Sequence, residues 1–579
     1  MKKMIMKLFN HTMLRAWIAF TVLISINGCK KEFLDPNPYN VYQPEQLSNL
    51  KGVEGLLVGA YGMLDGQGID GASGWMVGAT NWVYGDVASD DAYKGTDAGD
   101  QPQMTEIELW ASQPANTYFY YKWLAIYEGV ARSNDVIKFA TNVPTLTDSQ
   151  RVNYLAQARF LRGHYHFDAK RNWNKVPYID TSATAYTNTD DIWPKIEEDF
   201  LFAYENLPET QADLGKANKW AAAAYLAKAY VYQQKWAEAK VLYDEIMVSG
   251  KTANNLTYEL QPEYWKNFNA NFENSSESVF AQQASASGTI VAAAETSYEL
   301  AYPYGGDFGC CGFFQPSQNL VNAFKVDANG LPFLDDSYNE TNLKNDQGIN
   351  SSDPFENDSD IALDSRLDWT VGRRDIPYYD WGPHPGRSWI RDQTYGGPYS
   401  PKKHVYAKAD VGGLTNGGSN HRQTAKNYNI IRFADVLLMA AEAEVEVGSL
   451  EKAREYVNLV RARAADPVSF VTDADGFAAA NYQTKEYLAP FADQETARQA
   501  VRFERRLELA MEGHRFFDLV RWGVADQVLN AYASVEKGRR SYLNSANFTK
   551  GKNEYYPISN RVLEVSAKGG NTLTQNAGY

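Results

Sequence analysis

Apolar residues recur at helical spacing in several stretches of the chain and lose that spacing in others. Tyr118–Ala140 (YFYYKWLAIYEGVARSNDVIKFA) keeps an apolar face along its length, which predicts a helix. Ser149–Trp173 (SQRVNYLAQARFLRGHYHFDAKRNW) predicts another, opened by capping-type residues and closed off by Pro177. Asp191–Leu207 predicts a third. The run Lys219–Gly250 predicts two antiparallel helices joined near Gln233–Lys235. Small Ala227 and Ala239 are expected at their crossing, with Tyr230 and Tyr243 as larger partners. A second pair spans Asn429–Ala464, turning at Gly448-Ser449, with Leu450 opening its second helix. Trp123, Trp220 and Trp236 lie inside these helices and are assigned to the core.

Between about Asn254 and Asn427 the helical period disappears, and Gly, Pro, Asn, Asp and aromatic residues take over. So long a stretch without structure does not fit a compact domain unless it carries function, and its many tryptophans and tyrosines do not fit disorder. Asp65–Gln113 has the same texture, including Trp75, Trp82, Tyr84 and Trp110. The fold expected is mainly α: tetratricopeptide-like helix pairs forming a scaffold (about 40–253 and 428–579), interrupted by a loop-rich insertion (about 254–427). The two loop-rich regions are expected to meet on one face of the scaffold.

The N-terminus changes the picture of where this fold works. Lys2, Lys3, Lys7 and Arg15 precede the short apolar run Ala16–Ile26, followed by Asn27-Gly28-Cys29. That is the layout of a secretory signal, with an apolar part too short to span as a mature helix. A cysteine directly after a small residue resembles a bacterial lipoprotein signal, which implies a leader of residues 1–28 and lipidation of Cys29. Ile26 and Asn27 depart from the usual pattern, in which leucine stands three before the cysteine; the other reading is a secreted protein with a chance cysteine. The formal charge of -15 falls to -19 once the four leader cations are removed. A chain this acidic is not drawn to nucleic acid or to anionic lipid by its charge, so a lipid anchor is the expected membrane attachment. Beyond Cys29 only Cys310 and Cys311 remain. In a compartment that permits disulfides, this pair in GGDFGCCGFF reads as a vicinal disulfide, with two free thiols as the alternative.

FERRLELAMEGHRFFDLVRWG at Phe503–Gly523, YYPIS at Tyr555–Ser559 and LTQNAGY at Leu573–Tyr579, with the leader and the interrupted helix pairs, resemble the SusD/RagB family of outer-membrane nutrient-binding lipoproteins over essentially the whole mature chain. The resemblance implies a non-enzymatic protein, lipid-anchored at the cell surface, that captures a glycan or a peptide and passes it to a SusC-like TonB-dependent barrel. Within the motif, Glu504, Glu508 and Glu512 line one helix face at spacings of four. With Arg502, Arg505 and Arg506 beside them and Asp518 and Arg521 on the next helix, they read as ion pairs locking two helices together.

Sugar capture needs flat apolar faces for ring C–H surfaces and polar groups for the hydroxyls. The candidates are Trp110, Trp381, Trp389 and Tyr395 for stacking, and Asp65, Asp91, Arg374 and Arg387 for hydrogen bonds. The resemblance supports Trp110, since such proteins often stack a tryptophan just ahead of this helix on the glycan. Cys310 and Cys311 stand where the family more often has a Gly-Trp-Gly-like run before FFQPS. Such a cysteine pair occurs in fructan-binding relatives, so the resemblance implies a fructan such as levan, with the disulfide as a stacking platform. Peptide capture and a surface glycoside hydrolase are the other function classes. A hydrolase needs two carboxylates in one cleft, and spacing in the sequence does not rank such pairs. Neither a nucleophile elbow, a P-loop nor a dinucleotide fingerprint is present, and no cofactor is expected. His164 and His166, two apart in a helix, point to different faces and do not share a metal. Asp327-Ala-Asn329-Gly330 and Asp473-Ala-Asp475-Gly476 place glycine too early for a calcium loop and read as turns.

Overall fold

The computed structural model describes residues 44–287, 290–416 and 422–579. The leader and Cys29 lie outside them. Long helices run at Leu50–Gly62, Thr117–Asn142, Asp148–Trp173, Trp193–Asn206, Lys219–Tyr232 and Trp236–Ser249. A second group runs at Phe433–Val447, Leu450–Ala465 and Gln494–Leu509. Their starts follow from local chemistry. Thr147 and Gln150 form a reciprocal capping box ahead of Asp148–Trp173, and Asn218 accepts from the Ala221 amide ahead of Lys219–Tyr232. Ala227, Ala239 and Tyr243 are buried between the paired helices, whereas Tyr230 stays half-exposed beneath the Lys235 ammonium. None of the described helices is long and apolar enough to cross a membrane.

From Lys251 to Asn427 the described chain forms short turns, short helices and two-stranded pairings. Two pairings tie this segment to the rest. Ala92–Gly95 runs antiparallel to Phe313–Pro316, and Ser278–Gln282 runs antiparallel to Tyr428–Arg432. The second pairing corrects the expected start of the late helix pair. Asn429 does not open a helix, because its strand is completed by Ser278–Gln282, and the helix begins at Phe433.

The three glutamates of the C-terminal motif are fully buried or nearly so, as expected of a structural network. Their cations, however, come from far along the chain. Arg366 reaches Asp364 at 2.8 Å, Glu504 at 2.6 Å and Glu508 at 2.9 Å. Arg461 holds Glu504 at 2.8 Å, Arg463 holds Glu508 at 2.5 Å, and Lys403 and Arg432 each hold Glu512 at 2.9 Å. Arg432 also pairs with Glu277 at 2.9 Å and with Glu508. Of the nearby arginines, Arg505 turns to Asp435 and Asp518, Arg506 turns to Asp90 and Asp91, and Arg502 lies over Trp522. The network therefore fastens the loop-rich segment through Arg366 to the Gln494–Leu509 helix, and through Lys403 to Glu512, which lies past the end of that helix and not, as expected, on its face. Burial pushes the Glu508 carboxyl up, but Arg463, Arg432 and Arg366 outweigh it and hold it well below the usual range.

The two Asp-Ala-Asx-Gly segments are turns. Asp327 accepts from the Asn329 and Leu331 amides, and Asp473 accepts from those of Asp475 and Phe477. His164 bonds the Tyr225 hydroxyl and His166 the Arg162 carbonyl; burial drives both imidazoles down to about 3, so they are neutral.

Candidate functional site

Three loops converge where Ala92–Gly95 pairs with Phe313–Pro316. Gly95 stands opposite Phe313, and the Thr96 amide donates to the Gly312 carbonyl at 2.5 Å. This seats the 96–100 loop against the 302–312 turn. Gly312 has a φ of 75°, and a Cβ there would come within 3.2 Å of the Tyr304 Cβ, so the turn needs glycine at that point. Arg391 enters from the third loop. Its guanidinium pairs with Asp97 and Asp100, each at 2.7 Å, and donates to the Thr96 hydroxyl at 2.9 Å. It lies 5.4 Å from the Tyr304 ring centroid. Arg391 is exposed and Tyr304 half-buried, so a planar cation lies over an aromatic ring at the surface.

Cys310 and Cys311 in the same turn are joined by a disulfide. Cys311 is buried, its Sγ 3.1 Å from the Arg422 guanidinium, which also donates to the Glu299 carbonyl at 2.8 Å. Cys310 is half-exposed. Under the turn lies an aromatic layer of Tyr302, Phe308, Tyr378, Trp389 and Tyr406, with Trp381 packed on Phe308 at 4.6 Å.

The residues expected to bind are distributed unevenly. Cys310 lies in this cluster, and Arg387 is exposed on the loop that leads to Arg391, donating to Asn350 at 3.1 Å. Trp381 is half-buried in the aromatic layer, with its indole N–H donated to the Tyr406 carbonyl. The others lie away from the surface of this cluster, most of them buried. Trp110 is buried, donates to the Ala88 carbonyl at 2.9 Å and meets Phe548 edge-on at 5.8 Å, so its ring is core. Asp91 is fully buried and pairs with Arg506 at 2.8 Å. Arg374 is buried and donates to the carbonyls of Asn350, Ser351 and Asp353, clamping a loop. Trp389 is enclosed by Phe308, Tyr378 and His384. Tyr395 stacks on Tyr542 at 4.2 Å beneath the Lys94 ammonium. Asp65 lines a different cleft of about 330 Å³ with Tyr61, Lys216 and Gln283, where burial pushes its carboxyl up to about 6.

Trp75, Tyr304 and Arg391 were not singled out by the sequence. Trp75 is half-exposed on the short Gly74–Val77 helix, near the Tyr118 hydroxyl, which donates to Gln101 at 2.8 Å. A signal existed: Trp110 continues the apolar spacing of Met104 and Ile107, as a core residue does, while Trp75 stands among glycines outside any periodic stretch. Asp97 and Asp100 are both committed to Arg391, and the described residues hold no group of side chains arranged for a metal. The cluster offers flat faces and in-plane donors, which suits recognition of a hydroxylated ring surface.

Comparison with known proteins bears on the family and the fold. The SusD family model matches residues 276–579, and a second model, described as starch-binding associating with outer membrane, matches residues 32–231. SusD-like protein P2 of Formosa agariphila is 24% identical over 97% of this chain and 99% of its own length. A SusD superfamily protein from Bacteroides vulgatus superposes with a TM-score of 0.67 at 20% identity, covering 92% of this chain and 100% of its own. Surface glycan-binding protein A from Bacteroides thetaiotaomicron, solved in complex with laminarihexaose, superposes with a TM-score of 0.63 at 21% identity, covering 91% of this chain and 99% of its own.

Proposed function

This chain belongs to the SusD family, and from that premise we propose that it captures a neutral polysaccharide at the cell surface and hands it to a SusC-like TonB-dependent barrel. Cys29 would carry the lipid that keeps it at the outer membrane. The outer-membrane association in the second family description and the laminarihexaose complex of a structural relative support this reading. The observation that carries it is the surface junction of Tyr304, Arg391 and the Cys310-Cys311 turn. There an aromatic face, a sulfur surface and a guanidinium fixed by Asp97 and Asp100 stand within one loop cluster. Tyr304 and Cys310 would stack on sugar rings, Arg391 would donate to hydroxyls, and Trp75 would extend the apolar floor. A fructan such as levan is the first ligand to try, because of the paired cysteines; laminarin follows from the structural relative.

The test is calorimetric titration of the protein lacking residues 1–29 with levan, inulin, laminarin, starch and a mannan. Saturable heat with one of them, weakened about tenfold in Tyr304→Ala, is expected. Absence of heat with every glycan, or full affinity in a folded Tyr304→Ala variant, refutes the assignment. New reducing ends in the mixture would refute the reading as a binder.

A further inference from the structure

A second groove, of about 710 Å³, opens between the segments 263–272, 369–380, 402–410 and 467–472. It shares no lining residue with the cysteine turn. The aromatic layer under that turn touches both: Tyr378 belongs to the layer, while Tyr379, next in sequence, lines the groove. A strip of rings forms its wall. Phe272 to Trp265, Trp265 to Trp369 and Trp369 to Tyr379 have centroid separations of 5.4, 5.7 and 6.0 Å, and the two indole planes lie within 23° of each other. The indole edges are already used. Trp265 donates to Glu263 at 2.9 Å and Trp369 to the Ser469 carbonyl at 2.6 Å, so what each half-buried ring offers the groove is its apolar surface. Lys402 fixes the strip from the buried side. Its ammonium donates to the carbonyls of Asp368 and Pro377 and lies 4.9 Å from the Trp369 centroid and 5.5 Å from that of Tyr379.

We infer that this groove is a second binding site for an uncharged polysaccharide, distinct from the cysteine-turn site; the inference rests on the reading of the protein as a glycan binder. The charge of the lining selects the class. Glu263, Asp380 and Asp410 border the groove, and its one lining cation, Lys402, is spent on backbone carbonyls. The Lys266 ammonium, 4.8 Å from the Phe272 centroid, is itself paired with Glu263, so among the described residues an anionic ligand such as a uronic-acid polymer meets no uncommitted cation there. A neutral chain presents hydroxyl donors to the carboxylates and to Asn271, and ring faces to the indoles. Two sites joined by one long chain raise retention without any new contact, which favours polymers over short oligomers.

The experiment uses the protein lacking residues 1–29 and its Tyr304→Ala, Trp265→Ala, Tyr379→Ala and Trp369→Ala variants, each first checked for an unchanged melting curve. Levan, laminarin and starch serve as probes by titration. Expected are about tenfold weaker binding of the polymer in Trp265→Ala or Tyr379→Ala and residual binding in Tyr304→Ala that vanishes when Trp369→Ala is added. If Tyr304→Ala alone abolishes binding while the groove variants bind as the parent does, the second site is refuted and the first stands. If the groove variants lose binding and Tyr304→Ala does not, the second site stands and the cysteine-turn site is refuted. If the parent protein binds none of the three glycans, or if oligolysine rather than a glycan titrates the groove, the inference is refuted.

Discussion

Replacing Arg366 with Met removes the cation that joins the loop-rich segment to the carboxylates of the Gln494–Leu509 helix. Arg366 is fully buried and contacts three carboxylates: Asp364, Glu504 and Glu508. Glu504 keeps Arg461, and Glu508 keeps Arg432 and Arg463. Asp364, also fully buried, loses the guanidinium that bonds both its oxygens. Removing one partner of a buried pair costs about 3–5 kcal/mol, because the remaining charge stays desolvated. The upper half of that range is expected here, since Met supplies no donor. Urea unfolding at neutral pH, followed by tryptophan fluorescence, measures the loss. A pH series tests its cause. Burial pushes the Asp364 carboxyl up, but Arg366 overcompensates and holds it low, and Glu508 is held low in the same way. A carboxylate whose folded value lies below its unfolded one stabilises the protein above the unfolded value, near 4, and loses that contribution as pH falls through the folded value. The parent's advantage over Arg366→Met is therefore full at pH 7 and shrinks on acidification below about 4. A variant as stable as the parent at pH 7, or a deficit that persists unchanged in acid, would refute the reasoning.

Trp110→Ala is expected to cost about 3–5 kcal/mol of stability, by emptying the space beside Phe548, and to leave the affinity of the folded fraction unchanged; a melting curve and a titration on one sample separate the two, and an unshifted melting curve with lost affinity would return Trp110 to the binding surface. Changing both Cys310 and Cys311 to Ser is expected to weaken glycan binding several-fold, by loss of about 1 kcal/mol of apolar contact; unaltered affinity removes the sulfur surface from the site, and free thiols in the intact mass of the parent protein would exclude the bridge. Cys29→Ala is expected to move the protein from the membrane pellet to the soluble fraction; continued pelleting in cells that lack the partner barrel would contradict the lipid anchor.

The helix pairs were legible because they bury one stripe against neighbours nearby in sequence, so their apolar spacing survives in one dimension. The Ala-rich Lys219–Tyr232 helix and its partner Trp236–Ser249 are such a case. The strand at Tyr428–Arg432 was not legible, because its hydrogen-bonding partner begins at Ser278, 150 residues away. The acidic face of the C-terminal motif was visible, but its counter-ions were sought among neighbouring arginines and lie instead at positions 366, 403, 432, 461 and 463. The binding surface was the least legible part. Whether an aromatic ring faces solvent is decided by what folds over it, so Trp110, Trp389 and Tyr395 were drawn inward by Phe548, Phe308 and Tyr542, while Tyr304 and Trp75 stayed at the surface.

The glutamate-rich helix gives the protein a separation between its frame and its interchangeable parts. Arg366 and Lys403 act as staples set at fixed points in a long stretch of otherwise irregular chain. Tips away from the staples, such as the turn that carries Cys310 and Cys311, contribute nothing to those fastenings. An engineer seeking a new sugar preference can therefore recast the tip from Tyr304 to Gly312, retaining the glycine that the turn requires, and leave the staples untouched. A library confined to such tips samples recognition without drawing on the margin that keeps the protein folded.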